Sequence, residues 1–372
     1  MSETARRIVL PGISTRAWEH PADRGALVAL RKLRGFDLVL RRISAFMDER
    51  VVRMNLLASA VKVTPRQFTR VHTLLAEAAR SLDLADLPET FVVASPYLNA
   101  MTIGMDAPKI VINSALVDLC DDDELRFVLG HELGHAMSGH AVYRTLLMNL
   151  VLLGKATMGL PVVWGVRVIT YALEEWSRKS ELSCDRAGLL ATQDVSAAMR
   201  VHMKTASGGR IDDLDTGEFL AQAREFDATD DVRDSLVKWL MLDGASHPFS
   251  VVRAGELQRW VDSGEYAKIL TGEYVRRDDD NSARLSDEAK AAADSYAESF
   301  RSSEDVSSKL FTDLADGVGN VAGWFGTKFS DLTRPREGGA GDRGRTDSDT
   351  HGGGRRDKGQ WRNHSNYDDF DG

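Results

Sequence analysis

The chain of 372 residues is long enough to bury the core of one large domain or two ordinary ones. Hydrophobic residues make up 43% of it and charged residues 28%, a composition typical of a soluble or peripherally attached protein. The net charge of −9 argues against nucleic acid as the main partner. The two cysteines, Cys120 and Cys184, could form one disulfide, but they favour a reducing compartment with free thiols. No apolar stretch follows the charged residues 1–10, so we expect no export and a cytoplasmic location, unless an internal segment enters the membrane.

The N-terminal part of the chain is predicted to become helical after a short leader. Residues 1–25 contain scattered proline, glycine and arginine, which favours an extended leader. Residues 26–84 carry apolar side chains at helical spacing and predict an N-terminal helical region. One of its helices is expected to begin near Thr64-Pro65, because proline is tolerated in a first turn.

The residue pattern changes after residue 84, where short runs of β-branched and aromatic residues begin. The runs at 91–93 and 110–112 are bounded by turn-forming residues and predict strands, and 99–104 predicts a further strand ending in a turn. The acidic residues at 121–123 then predict a helix N-terminus, since carboxylates are favoured at that end of the helix dipole.

This predicted helix contains His131-Glu132-Leu133-Gly134-His135, a His-Glu-x-x-His motif. Residues four apart share a helix face, so His131 and His135 can direct their imidazoles at one metal ion. Glu132 is placed to take a proton from a water on that ion. A tetrahedral catalytic zinc needs a third protein ligand and keeps its fourth position for water.

Two acidic residues further along the chain are the better candidates for completing the site. Glu181 could supply the third ligand, and Asp185, one helical turn later, could accept the outer N–H of a ligand histidine. His140 is out of register with the metzincin pattern, which would place its third histidine at Ala141, so we expect His140 at a surface or helix end. Cys184 lies on another helix face and is not expected to bind the metal.

Apolar residues dominate 145–173, but Lys155 and Arg167 divide this stretch. Each uncharged piece is shorter than the roughly 20 apolar residues that a simple membrane span requires. We therefore predict a helical hairpin that covers the metal site, with insertion into a bilayer as the alternative. The catalytic domain is expected to span 85–276.

The composition shifts again beyond residue 276. Residues 277–334 predict an amphipathic helical extension, because apolar side chains across 306–330 recur at a spacing of about 3.6 residues. Docking on the protein's own surface and binding to a membrane surface or a partner are the two alternatives for this stripe. Residues 335–372 are rich in glycine, arginine, aspartate and serine and predict a disordered tail.

The ordered set of motifs resembles a known family. It comprises His-Glu-x-x-His at 131–135, Glu-x-x-x-Asp-Arg-Ala-Gly at 181–188, Ser-His-Pro at 246–248 with Arg253 after it, and Asn-Ala at 99–100. These motifs are similar to those of the HtpX-like and CAAX-prenyl-protease zinc metallopeptidases, which belong to the gluzincins. The resemblance covers about residues 85–260.

The resemblance implies an α+β, mostly helical fold, with a gluzincin-type zinc metallopeptidase core and a small β-sheet. It implies Zn2+ held by His131, His135 and Glu181, with Glu132 as the catalytic base. It also implies hydrolysis of peptide bonds in polypeptide substrates through a metal-activated water.

The same resemblance implies roles for residues outside the ligand set. His247 would lie near the metal, where it could stabilise the oxyanion or plug the open position, and Arg253 would help to hold this region. Asn99, Ala100 and Met101 would begin an edge strand, whose backbone presents hydrogen-bonding groups to an extended substrate as far as residue 103.

Two functions are compatible with the sequence. The first is a zinc-dependent endopeptidase with a role in protein quality control, in the cytoplasm or at the cytoplasmic membrane, attached there through 145–173 or 306–330. The alternative is a catalytically plugged metalloprotease fold that binds clients or a membrane. Glu132 favours the first, because a pure binding protein needs no general base.

Overall fold

The computed structural model describes residues 7–31, 49–156, 163–228 and 249–279. These residues belong to the first of the chain's two compact units, residues 1–328, and the second unit, 329–372, lies outside the described ranges. The predicted amphipathic stripe at 306–330, the predicted tail and the candidate residue His247 also lie outside the described residues.

The described residues are mostly helical and include one small sheet. The helices are α1 (Pro21–Arg31), α2 (Glu49–Ser59), α3 (Thr69–Ser81), α4 (Ser114–Leu119), α5 (Asp122–Met137), α6 (His140–Ala156), α7 (Val163–Thr192), α8 (Val195–Ser207), α9 (Thr216–Ala228), α10 (Ser250–Asp262) and α11 (Glu265–Leu270). The strands are β1 (Val61–Lys62), β2 (Glu89–Val93), β3 (Ala100–Ile103) and β4 (Lys109–Asn113). The predicted α+β, mostly helical class is confirmed.

The sheet is mixed, with the strand order β1-β2-β4-β3. β2 and β4 are parallel, while β1 and β3 pair antiparallel with their neighbours. β3 therefore forms one edge, with Ala100 opposite Ile112. Along β3, Ala100 and Thr102 are buried whereas Met101 and Ile103 are half-buried, as the two-residue alternation of a strand requires.

Helix α5 begins with a capping box. The Asp121 carboxylate accepts the backbone N–H groups of Asp123 and Glu124, and the Glu124 carboxylate accepts the Asp121 N–H over 2.8 Å. Glu124 is fully buried and also receives Lys204 Nζ at 2.6 Å and Arg200 Nε at 2.8 Å, both from α8. The helix start predicted from the acidic run is therefore present, and it is tied to α8 by ion pairs.

Helices α5 and α7 pack closely along each other at the centre of the fold. Glycines make this approach possible: a Cβ on Gly130 would lie 2.3 Å from the Ala191 Cβ, and one on Gly134 would lie 2.8 Å from the Ala187 Cβ. On the opposite helix, a Cβ on Gly188 would lie 2.7 Å from a backbone oxygen of α5. The short interhelical distance brings the motif helix against the helix that carries the acidic pair.

The N-terminal segment differs from the extended leader that its composition favours. Leu10, Ile13 and Trp18 are buried in the main core, and α1 begins with a proline in its first turn. The backbone of Ile13 also forms an isolated antiparallel bridge with Arg276. The segment is recruited by tertiary packing between distant parts of the chain, which local composition does not reveal.

Helices α6 and α7 lie where the sequence predicts a helical hairpin, and they pack on each other. The residues that join them, 157–162, lie outside the described ranges. Within the described part of the chain, no helix combines the length and the apolar character that crossing a bilayer would require.

Candidate metal centre

His131 and His135 occupy one face of α5, and their Nε2 atoms are 3.2 Å apart. The Glu181 carboxylate from α7 lies between them, with Oε2 at 3.3 Å from His131 Nε2 and Oε1 at 3.2 Å from His135 Nε2. The three residues are 5%, 0% and 1% exposed, respectively, so the converging atoms are shielded from water. The structure therefore brings together the residues predicted to be ligands.

The chemistry of this donor set fits a metal ion. One ligand atom from each of His131, His135 and Glu181 lies within 4.8 Å of the others. Two imidazoles with one carboxylate are a common ligand set in catalytic zinc sites. The orientation of His131 agrees with this, because its Nδ1 lies 3.0 Å from Asp185 Oδ1 and its Nε2 faces the other donors.

Asp185 is in turn held by Arg253 from α10. The guanidinium donates to both carboxylate oxygens, over 2.7 Å and 2.5 Å, and a third nitrogen lies 3.1 Å from Glu181 Oε2. Burial alone would raise the pKa of Asp185, but Arg253, His202 and His131 hold that pKa well below its usual range. Arg253 therefore lies where the sequence placed it, close to the candidate ligands.

The two histidines of the motif have opposite electrostatic environments. Burial would lower the pKa of His131, but hydrogen bonds to Asp185 and Glu181 raise it to about 9. Burial, together with the positive charge of Arg144, lowers the pKa of His135 well below its ordinary value. A metal ligand requires a neutral histidine, and the surroundings of His135 favour that form.

Arg144 on α6 is a site residue that the sequence did not reveal. Its Nη1 lies 2.5 Å from Glu181 Oε1 and 2.6 Å from His135 Nε2, so it contacts two of the candidate ligands. Because the guanidinium can only donate, His135 Nε2 is the acceptor and His135 Nδ1 carries the proton. No motif marks position 144, and its location depends on how α6 folds back onto α7.

Glu132 is buried next to the histidines and is fixed by Thr102 from β3. The Thr102 hydroxyl lies 2.7 Å from Glu132 Oε2 and 3.0 Å from the Glu132 backbone oxygen. Strand alternation offered a signal for this contact, because Thr102 shares the inward face of β3 with Ala100. The edge strand and the acidic residue of the motif are thus joined by a side-chain hydrogen bond.

The remaining predicted site residues lie at the edge strand or outside the described ranges. The backbone oxygen of Asn99 accepts the Asn113 N–H over 3.0 Å, and Ala100 and Met101 are the first residues of β3. They lie at the start of the edge strand, and their contact with a substrate stays a prediction. His247 lies outside the described residues, so its position relative to the ligands stays a prediction.

The fold and the site together have the arrangement typical of metal-dependent peptidases of the His-Glu-x-x-His class. Comparison with known proteins specifies the family. The sequence profile of Peptidase family M48 matches residues 65–261, more than half of the chain. The protein therefore belongs to peptidase family M48.

Named relatives agree with this assignment. The plastoglobule-localized metallopeptidase 48, chloroplastic, of Arabidopsis thaliana is 33% identical over 261 residues, covering 68% of this chain and 74% of the relative. A protease HtpX homolog of Helicobacter pylori is 36% identical over 76 residues, covering 20% of this chain and 24% of that protein. A protease HtpX homolog of Bacillus subtilis is 34% identical over 84 residues, covering 22% and 27%. No solved structure matches the chain.

Proposed function

We propose that this protein is a zinc-dependent endopeptidase that hydrolyses peptide bonds within protein substrates. The observation that carries the proposal is the convergence of His131 Nε2, His135 Nε2 and the Glu181 carboxylate next to the buried Glu132. Family membership supports peptidase chemistry. When bound by these ligands, zinc would supply a water of lowered pKa and would polarise the scissile carbonyl.

The side chains around the ligands have separate tasks in this proposal. Glu132 takes a proton from the attacking water and delivers it to the leaving amine, in an orientation fixed by Thr102. Asp185 holds the tautomer and ring orientation of His131, and Arg253 keeps Asp185 ionised. His247 is proposed to stabilise the oxyanion as it forms.

The edge strand β3 suits an extended polypeptide substrate. A strand at the edge of a sheet can pair with an added segment through main-chain hydrogen bonds, which depend little on the substrate's side chains. On the inner side of the same strand, Thr102 is bonded to Glu132, so a peptide paired with β3 would lie at a set distance from the base. Such pairing favours unfolded or extended chains, which supports a role in protein quality control.

We also propose that the protein works in the cytoplasm or at the cytoplasmic face of a membrane. One relative is named for its location at plastoglobules, and others are HtpX homologs. Attachment to a membrane surface would involve 145–173 or 306–330, where the apolar residues of the sequence are concentrated.

The contact of Arg144 favours a second candidate function, a plugged metalloprotease fold that binds clients without cleaving them. The Arg144 guanidinium is bonded to Glu181 and His135, atoms that a metal ion would also need. A protein that kept this arrangement permanently would bind no metal. The two functions differ in one measurable respect, because only the peptidase loses its action on a client when the metal is removed.

The proposal is tested by metal analysis combined with a casein-cleavage assay. We expect about one zinc per full-length chain, loss of cleavage after chelation and recovery on adding zinc back. Glu181→Gln should lose both metal and cleavage. Glu175→Gln is the matched control, since Glu175 lies on the same helix but pairs with Lys179 and Arg178. Metal-free protein that still binds casein without cleaving it would support the plugged fold instead.

A further inference from the structure

A second group of potential metal ligands adjoins the proposed zinc site. His140, the first residue of α6, and Cys184 on α7 are both buried, and His140 Nδ1 lies 3.5 Å from Cys184 Sγ. One ligand atom from each of His135, His140 and Cys184 lies within 4.8 Å of the others. Neither His140 nor Cys184 has a task in the proposed peptidase mechanism. His140 lies at a helix end, one of the two positions that the sequence predicts for it, but it is buried.

His140 is oriented as a metal ligand would be. Its Nε2 lies 3.3 Å from the carboxylate of Asp23, which is buried on α1 and also accepts Trp176 Nε1 at 2.9 Å and Ser183 Oγ at 2.6 Å. Three donors, from His140, Trp176 and Ser183, converge on this carboxylate, which therefore acts as the acceptor. An ionised carboxylate at Nε2 keeps the proton there and leaves the Nδ1 lone pair directed towards Cys184.

His135 has an unused polar atom in the same region. Its Nδ1 is buried, and within the described part of the chain no hydrogen-bond partner is found for it. A buried nitrogen without a partner is costly, and a ligand histidine almost always uses its second nitrogen. Because a neutral imidazole carries one lone pair, His135 can serve one of the two ligand groups at a time.

The charges of this region can balance a divalent cation. Metal binding would replace the S–H bond of Cys184 by a metal–sulfur bond, with the proton released to solvent and no change of oxidation state. The thiolate and the Asp23 carboxylate together would then offset two positive charges in a shielded site. A thiolate is a soft ligand, so the site favours ions with a strong preference for sulfur.

We propose that His135, His140 and Cys184 form an alternative, thiolate-containing metal site for thiophilic divalent ions such as Zn2+ and Cd2+. It competes with the His131, His135 and Glu181 site for the shared His135. An ion at the thiolate site therefore withdraws a ligand from the other site. This inference does not depend on peptidase activity, and its test needs no substrate.

The test is titration of the full-length protein with Cd2+ alone, followed by the near-ultraviolet charge-transfer absorption of a cadmium–thiolate bond. We expect this band in the wild type and in Glu181→Gln, which disables the competing site, and its loss in Cys184→Ser. Cys120→Ser is the matched control, because Cys120 is also a buried free thiol, at the end of α4. His140→Asn should weaken Cd2+ binding roughly tenfold or more, the equivalent of about 1.4 kcal/mol.

Several outcomes would overturn the proposal. One is a charge-transfer band that persists in Cys184→Ser. Another is the absence of this band from the wild type and from Glu181→Gln alike. Since the serine variant could fail to fold, X-ray absorption of the unaltered protein with excess zinc provides a second measurement. A zinc–sulfur distance of about 2.3 Å supports the thiolate site, and a shell of nitrogen and oxygen alone contradicts it.

Discussion

The hydroxyl of Thr102 lies 2.7 Å from the carboxylate of Glu132, which links the edge strand of the sheet to the acidic residue between the two motif histidines. Both residues are buried, so the bond is shielded from competing water. In the proposed mechanism, this bond therefore fixes the position of Glu132, which transfers the proton, relative to the strand that aligns the substrate. A second threonine helps to fix the end of the strand, because the Thr145 hydroxyl of α6 accepts the Gly104 N–H over 3.1 Å.

Replacing Thr102 tests this link. Thr102→Val keeps the shape but removes the donor, and we expect kcat to fall roughly tenfold because Glu132 loses its fixed orientation. KM should change little, since the backbone of β3 is retained. Thr102→Ser keeps the hydroxyl and should preserve most of kcat. Steady-state kinetics at equal metal content measures the effect, and a valine variant with the wild-type kcat would show that the bond does not position Glu132.

Helix packing gives a second prediction. Gly130→Ala would place a Cβ 2.3 Å from the Ala191 Cβ and force α5 away from α7. We expect the free energy of unfolding to fall by about 1–3 kcal/mol and metal affinity to fall with it. Gly217→Ala is the control, because its Cβ would meet only the end of the Asp215 side chain, and it should cost nothing or stabilise α9 slightly. Urea unfolding measures the free energy of unfolding of both variants, and equal values would contradict close packing at Gly130.

Buried His202 gives a prediction about pH. Burial lowers its pKa from 6.5 to about 4, against the opposing effect of Asp185. Between these values the unfolded chain binds a proton that the folded chain does not, so stability is complete above about pH 6.5 and decreases as the pH falls towards 4. This one residue should remove about 2 kcal/mol of unfolding free energy near pH 5.

The measurement is urea unfolding near neutral pH and near pH 5. His202→Gln should lose part of the acid-dependent destabilisation. His72→Gln, a change on the partly exposed face of α3, should retain all of it. An unchanged pH dependence in His202→Gln would show that other groups account for the acid sensitivity.

Arg144 provides a prediction about metal affinity. Its guanidinium and a metal ion require the same atoms of Glu181 and His135, so the two compete. A hydrogen bond to a charged group contributes about 1.5–3 kcal/mol, and Arg144→Met should therefore raise zinc affinity roughly tenfold or more. Competition with a chromogenic chelator measures this change. Weaker zinc binding by the variant would instead indicate that Arg144 orients Glu181 for the metal.

The shared face of His131 and His135 could be predicted from local regularities, whereas the approach of Glu181 to them also depends on the packing of α5 against α7. Helical periodicity places the two histidines on one face, and the spacing of the later acidic pair matches a second helix. The small sheet was predictable for the same reason, since β-branched runs and turn residues are local signals. The histidine pair and the strands require no knowledge of how distant segments pack.

The contacts that could not be predicted join elements far apart in the chain. Asp23 accepts a hydrogen bond from Ser183, which lies 160 positions later in the chain. Arg144 contacts the candidate ligands only because α6 packs back against α7. The burial of His140 has the same origin, as its neighbours come from α1 and α7. A polar residue in the sequence is expected at the surface unless its buried partner is known, so such positions are assigned correctly only from the fold.

The most direct test of the proposed function compares casein hydrolysis by the wild type and by Glu132→Gln at equal zinc content. The glutamine keeps the size of the side chain and leaves His131, His135 and Glu181 unchanged, so zinc should be retained. Because general acid–base catalysis contributes about 10²–10⁴-fold, we predict that the initial rate falls at least roughly a hundredfold. Equal rates for the two zinc-loaded proteins would contradict the proposed peptidase mechanism.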